Sequence, residues 1–245
     1  MDETTEPGRA APDEALGEAF DDDALDGEAF DDDDLAAALD DPNLERPSTP
    51  AWRARTAIEM VVSGLLGLYA SFTLSIEAWR LAAEPDIVFG CDINAWISCG
   101  TVARSWQAQL LGFPNAFLGI FFEAVVLTVS FALLGRGILP RWFLRGAWAL
   151  YTVGLFFALW LFSQSYFVIK VLCPWCLLIA ATTTLVWAGL TRINIRDQNI
   201  PLPRSIAPAM RRFIVAGNDW FVVAAFLAVL AAMIVLKYGP LMLAA

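Results

Sequence analysis

"VLCPWCLLIAATTTLVWAGLT", residues 171–191, opens on a Cys-x-x-Cys pair and runs on without a charged residue until Arg192. A helix from Cys173 to Thr191 rises about 28 Å, close to one hydrocarbon thickness, so the run reads as a membrane-spanning helix. Pro174 suits its first turn, where no backbone hydrogen bond is lost and φ is already set. Two thiols at the head of such a helix need a source of activation, because the 245 residues include no histidine.

Working outward, four further apolar runs repeat the pattern, with few internal charges and aromatics near their ends. Helices are predicted at 57–80, 114–134, 146–170, 173–191 and 219–238. The fold class is an all-α membrane protein: five transmembrane helices, four forming a core bundle, with an outer-side loop carrying a short amphipathic helix. The chain is 58% hydrophobic yet has a formal net charge of -10. That conflict resolves by region, since residues 1–50 hold 18 Asp and Glu against Arg9 and Arg46, leaving the rest of the chain positive. Dense like charge without an apolar run does not offset the entropy of ordering, so residues 1–50 read as a disordered acidic cytoplasmic tail. Within it "GEAFDDDAL" (17–25) recurs as "GEAFDDDDL" (27–35), a low-complexity repeat. Met1 is followed by acid, so no secretory signal peptide is expected. The predicted organisation is the tail at 1–50, a redox-active four-helix core at 51–191, a cytoplasmic connection at 192–218 and a fifth transmembrane helix at 219–245.

Positive residues orient the bundle. Arg53 and Arg55 precede the first helix, Arg136, Arg141 and Arg145 fill the second connection, and Arg192, Arg196, Arg204, Arg211 and Arg212 fill the fourth. The first connection, about 81–113, has only Arg104. The positive-inside rule puts the N-terminus in the cytoplasm and both cysteine-bearing segments on the outer side, where disulfides persist. A bacterial inner-membrane location with an outward-facing site is expected, and no nucleic-acid partner.

All four cysteines fall in that outer layer: Cys91 and Cys99 in "CDINAWISCG", Cys173 and Cys176 in "CPWC". Four thiolates suit zinc on count alone, but a seven-residue spacing in the first pair and the absence of histidine argue against a metal site. Two static disulfides remain open as a structural reading, that of a non-catalytic scaffold. The redox reading explains more: Cys-x-x-Cys at a helix N-terminus favours thiolate through unpaired N–H groups and the helix dipole. Two pairs also permit relay by thiol–disulfide exchange. A dithiol at the lipid boundary suits a lipid-soluble reactant, and a quinone carries two electrons just as a disulfide does.

The sequence resembles the vitamin K epoxide reductase family, in particular bacterial (actinobacterial-like) members that recycle disulfide-forming oxidases. The resemblance covers about residues 56–191 and rests on the paired loop cysteines, "SCGTVARS", "GFPNAFLGI" opening the second helix, and "CPWC" opening the fourth. It implies that Cys91 exchanges with a partner's dithiol, that Cys99 shuttles to Cys173, and that Cys176 faces a quinone of the menaquinone or ubiquinone type. It implies quinone contacts for Ser105 and Asn115; Trp106 and Trp175 are further candidates for that pocket. The implied partner is an extracytoplasmic thioredoxin-fold thiol oxidase, expected as a separate polypeptide because no fused thioredoxin domain fits into residues 192–245. Animal members carry a tyrosine four residues after the last cysteine, where this chain has Ala180. A quinone or vitamin K epoxide reductase using the same thiols is the alternative activity.

Three other features draw expectations. Val102, Ala103, Trp106, Leu110 and Leu111 share a helical face and predict a short amphipathic helix that lids the pocket. Glu123, mid-depth in the second helix, predicts a hydrogen-bonded structural carboxyl, with Gln164 or Thr182–Thr184 as partners. Glu77 and Arg80, one turn apart, predict a helix-surface pair.

Overall fold

The computed structural model describes residues 50–137, 139–203 and 205–243. The acidic tail expected over residues 1–50 lies outside these, apart from Pro50.

Five helices among the described residues are long and apolar enough to cross a membrane. In chain order the helices are α1 (Pro50–Ala83), the short α2 (Cys99–Ala103), α3 (Ala116–Leu134), α4 (Arg141–Ser163), α5 (Pro174–Arg196), α6 (Ala207–Val215) and α7 (Asn218–Leu243). A 3₁₀ turn (Trp106–Gln109) follows α2, and a π turn (Gln164–Ile169) prolongs α4. The chain is a multi-pass membrane protein. The fold class read from the sequence therefore holds, with α1, α3, α4 and α5 as the bundle.

The helices run longer than the apolar runs that announced them. α5 continues to Arg196 because its last turns are buried: Arg192 meets Glu59 at 2.9 Å, and Asn194 Nδ2 donates to the carbonyls of Leu144 (3.2 Å) and Leu190 (2.9 Å). Polar residues that read as loop here find partners inside the bundle, although Arg192 Nη2 and Asn194 Oδ1 are buried without one. α1 begins seven residues earlier than its apolar run, and Arg53 pairs with Asp197 at 2.9 Å. The connection expected at 192–218 thus contains the end of α5 and all of α6.

α1 is the central element, packing on α3 and on α5, while α4 packs chiefly on α5. Small residues let α1 and α3 approach closely, as is common between membrane helices. A side chain at Gly67 would collide with the Glu123 carboxyl, and one at Gly119 with the Ser71 hydroxyl. One apolar cluster (Met60, Val126, Val129, Leu144, Tyr151, Val186, Leu190, Ile193) fills the end of the bundle away from the cysteines. A second cluster gathers Phe89, Cys91, Cys99, Val102, Val171 and Cys173 at the other end. α7 packs at the edge of the bundle, with Phe221, Val222, Val235 and Leu236 exposed, as suits a helix with one side facing hydrocarbon tails.

Candidate redox site

The loop between α1 and α3 is shaped by side-chain acceptors that replace regular secondary structure. Asp92 Oδ1 accepts from the Gly100 amide (2.8 Å) and the Ser98 hydroxyl (2.7 Å), and Oδ2 accepts from the Phe89 amide (2.8 Å). Asn94 Oδ1 accepts from the amides of Trp96 and Ile97, both at 2.9 Å. Short polar side chains that bond nearby backbone are the usual makers of tight turns. Folded this way, the loop brings the Cα atoms of Cys91 and Cys99 to 5.7 Å, and the two form a disulfide. Burial opposes charge on Asp92, but the amides of Phe89 and Gly100, the Ser98 hydroxyl and the Arg104 charge together hold its carboxyl below the usual 3.8.

A single bridge joins the two cysteine segments. Ile97 pairs in parallel with Leu172; the Ser98 amide donates to the Leu172 carbonyl (3.0 Å) and the Leu172 amide to the Trp96 carbonyl (2.9 Å). Just beyond this bridge stand Cys99, two residues after Ile97, and Cys173, next to Leu172, with sulfurs 3.4 Å apart. Cys99 opens α2, whose N-cap Ser98 accepts from the Thr101 amide at 3.0 Å. Cys173 is the N-cap of α5, in extended conformation, with Pro174 following and its own sulfur accepting from the Cys176 amide at 3.4 Å. Cys173 and Cys176 are free thiols.

Below the loop lies a cavity of about 630 Å³, walled by all four bundle helices and by the segment from Cys99 to Gln109. Cys99, Cys173 and Cys176 reach its wall, whereas Cys91 lies outside it against Glu77. Of the residues expected to meet a carrier, Ser105 and Asn115 line the cavity. Ser105 closes on its own turn, donating to the Val102 carbonyl at 2.6 Å. Asn115 Nδ2 donates to the Gln107 carbonyl at 2.6 Å, while its Oδ1 is buried without a partner. Trp106 and Trp175 stand elsewhere. Trp106 is 63% exposed and tilts against Trp160, and Trp175 packs edge-on to Tyr69 within the cysteine cluster.

The short α2 and its 3₁₀ turn do cover the cavity, but of the expected face only Val102 and Ala103 line it. Val102, Ser105, Gln107 and Ala108 look inward, and Trp106, Leu110 and Leu111 are turned out. Their outward apolar surface suits the membrane boundary, where tryptophan is enriched. Glu123 also reaches the cavity; its partner is the Tyr151 hydroxyl, which donates to Oε2 at 3.0 Å, in place of Gln164 or the threonines. Glu77 and Arg80 are not ion-paired; Glu77 turns to Cys91 instead.

Glu77, Asp92 and Gln107 escaped the sequence reading as site residues. A signal for Asp92 was present in "CDIN", two short polar side chains interleaved with a cysteine in a loop, which is turn chemistry. Gln107, 4% exposed, carried none, since a polar residue on an amphipathic segment reads as solvated.

A family model described as the vitamin K epoxide reductase family matches residues 58–190, just over half of the chain. No curated protein matches it.

Proposed function

The chain belongs to the vitamin K epoxide reductase family and is a membrane thiol oxidoreductase with cysteine pairs, and we propose that it reoxidises an extracytoplasmic thioredoxin-fold disulfide oxidase and delivers the electrons to a quinone. The observation that carries this reading is the 3.4 Å approach of the Cys99 and Cys173 sulfurs, from segments 74 residues apart. Contact of that kind is what exchange between two cysteine pairs requires.

The partner's first thiolate attacks the Cys91 sulfur and Cys99 departs as thiolate; the partner's second thiol then displaces Cys91 and leaves as a disulfide. Cys99 next attacks Cys173 of a Cys173–Cys176 disulfide, releasing Cys176. Cys91 resolves the Cys99–Cys173 bond, which regenerates the loop disulfide and leaves a Cys173/Cys176 dithiol. Each exchange breaks one disulfide and makes another, moving two electrons. The end point has the same connectivity as the structure, a Cys91–Cys99 bond beside two free thiols. At the head of α5, the Cys176 amide and the helix N-terminus face the sulfur on which negative charge develops.

The cavity fits a quinone. Its volume lies within the range of small-molecule sites, its wall is largely apolar, and the buried, unpartnered Asn115 Oδ1 is an acceptor without a donor. The remaining Asn115 N–H would donate to a quinone oxygen, its Oδ1 would accept from the hydroxyl of the reduced quinol, and Cys176 would face the ring. When bound, a quinone supplies the two-electron, two-proton acceptor that lets Cys173 and Cys176 close to a disulfide.

Two substitutions test the order. Cys176→Ala abolishes quinone reduction with any thiol donor. Cys91→Ala blocks turnover with a thioredoxin-fold partner while sparing reduction by a small dithiol. Equal activity of either variant and the parent in the partner assay overturns the assignment.

A further inference from the structure

The chain contains no histidine, yet each exchange at Cys91 makes or consumes a thiolate in a nearly buried position. The group beside that sulfur is Glu77. From the outer end of α1, its Oε1 lies 3.5 Å and its Oε2 3.7 Å from Cys91 Sγ, and all the donor atoms of Glu77, Cys91 and Cys99 fall within 4.8 Å of one another.

Two of the neighbouring charges are otherwise engaged. Asp92 is occupied by Phe89, Ser98 and Gly100, and Arg104 Nη2 donates to the carbonyls of Pro85 (2.7 Å) and Ile87 (3.1 Å). The charges that face Glu77 are Asp92 from the loop and Arg80 from its own helix; from α5, the Cys176 thiol lies within reach of the Glu77 carboxyl. Cys99 lies on the opposite side of the loop disulfide, against Cys173.

We propose that Glu77 holds and returns the Cys91 proton, and thereby fixes Cys99 as the loop cysteine that carries the thiolate. This deepens the function proposed above and rests on Cys91 being the cysteine that meets the partner. While the disulfide is closed, Glu77 carries the proton. When the partner leaves, Cys91 is released as a thiolate and takes that proton, becoming a thiol that donates to the Glu77 carboxylate. A negative carboxylate beside Cys91 disfavours a second negative charge there, so the remaining thiolate is Cys99, the sulfur in contact with Cys173. When Cys91 attacks the Cys99–Cys173 bond, a sulfur–sulfur bond forms between Cys91 and Cys99, Cys173 leaves as thiolate, and the proton returns to Glu77. The two protons of the partner's thiols pass to water, and Cys173 and Cys176 take two from it, so Glu77 ends each cycle as it began.

The test uses the full chain in a Cys99→Ala background, where Cys91 is a free thiol. Alkylation of Cys91 by iodoacetamide is followed against pH by mass spectrometry, with Glu77 intact, as Glu77→Gln and as Glu77→Asp. In Glu77→Gln the profile moves to lower pH and the rate at neutral pH rises about tenfold, because a like charge beside the thiol is gone. In the reduced full-length chain with all cysteines, the same substitution moves alkylation from Cys99 toward Cys91. Glu77→Asp, which draws the carboxylate back by one methylene, gives a smaller shift in the same direction and serves alone if the Gln variant does not assemble. Superimposed profiles, or movement to higher pH, overturn the role of Glu77. Those outcomes leave the loss of partner turnover in Cys91→Ala untouched, whereas retention of that turnover would remove the reading on which the proposal stands.

Discussion

Asp92 accepts from three donors, one before Cys91 and two around Cys99, so a single carboxylate sets the spacing of the two loop sulfurs. Asp92→Asn keeps the shape but loses charge on the acceptor. Hydrogen bonds to charged groups stabilise more than neutral ones, and discounting for partial exposure leaves an expected loss of about 1 kcal/mol in loop stability. The pH dependence follows from the depressed carboxyl. Stability from Asp92 is complete above its ordinary value of 3.8 and is lost as pH falls below that, through the lower folded value. Limited proteolysis of the first loop should therefore be flat from neutral pH down to about 4 and rise below it; in Asp92→Asn the acid-induced rise attributable to this residue disappears. The four cysteines were legible because thiols are chemically scarce and these fall in pairs at one depth. Asp92 and Glu77 were not, because an acidic residue at a helix end or in a loop reads as solvated until something across the fold turns toward it. Trp106 and Trp175 illustrate the reverse: adjacency to a reactive residue along the chain suggested a shared pocket, but helical and 3₁₀ geometry points each of them away.

The elements were legible as runs of hydrophobicity, and their ends were not. Apolar patterning ends where side chains become polar, whereas a helix ends where its backbone loses partners; buried Arg192 and Asn194 separate those two points in α5. The bridge between Ile97 and Leu172 was equally invisible, being one residue pair long with no alternating pattern to announce a strand. It nonetheless aligns Cys99 with Cys173. Leu172→Pro removes the amide that bonds the Trp96 carbonyl at 2.9 Å, without touching either cysteine. One lost hydrogen bond has a net worth of about 1 kcal/mol, so the two segments should separate for a larger fraction of the time, by roughly fivefold. In a chain carrying Cys91→Ala and Cys176→Ala, the rate of Cys99–Cys173 disulfide formation under mild oxidation should fall by that factor. An unchanged rate would mean that packing of the cysteine cluster alone brings the sulfurs together.

At the scale of the whole molecule, the end opposite the cysteines is held by charge. Arg192 on α5 pairs with Glu59 on α1 and with Asp219 on α7, and its guanidinium lies 4.0 Å over the Trp220 ring. Its side chain is 5% exposed and those of its partners 14% and 16%, so this is a buried network joining the fifth span to the bundle. At the other end of α7, Lys237 donates to the Tyr166 carbonyl, and the Tyr166 hydroxyl donates to that of Met233 (3.2 Å), fastening α7 to the π turn that leads to Cys173. Residues 219–238 were readable as a span, but the sequence offered no sign of where that span docks, because Arg192 looked like one of several basic residues in a connection. Burying three charges is expensive unless all are paired. Arg192→Met leaves two carboxylates facing each other and should destabilise the protein by about 3 kcal/mol, measured by denaturant unfolding in detergent. Replacing the whole set (Arg192→Met, Glu59→Met and Asp219→Leu) removes the desolvation cost with the attraction, and stability should return to within about 1 kcal/mol of the parent. If it does, the network serves to choose the docking position of α7 rather than to hold the bundle together, and cross-linking between α1 and α7 should then become less specific in the triple variant than in the parent. If the triple variant is as unstable as Arg192→Met alone, the charges contribute through their particular geometry, and α7 belongs energetically to the core.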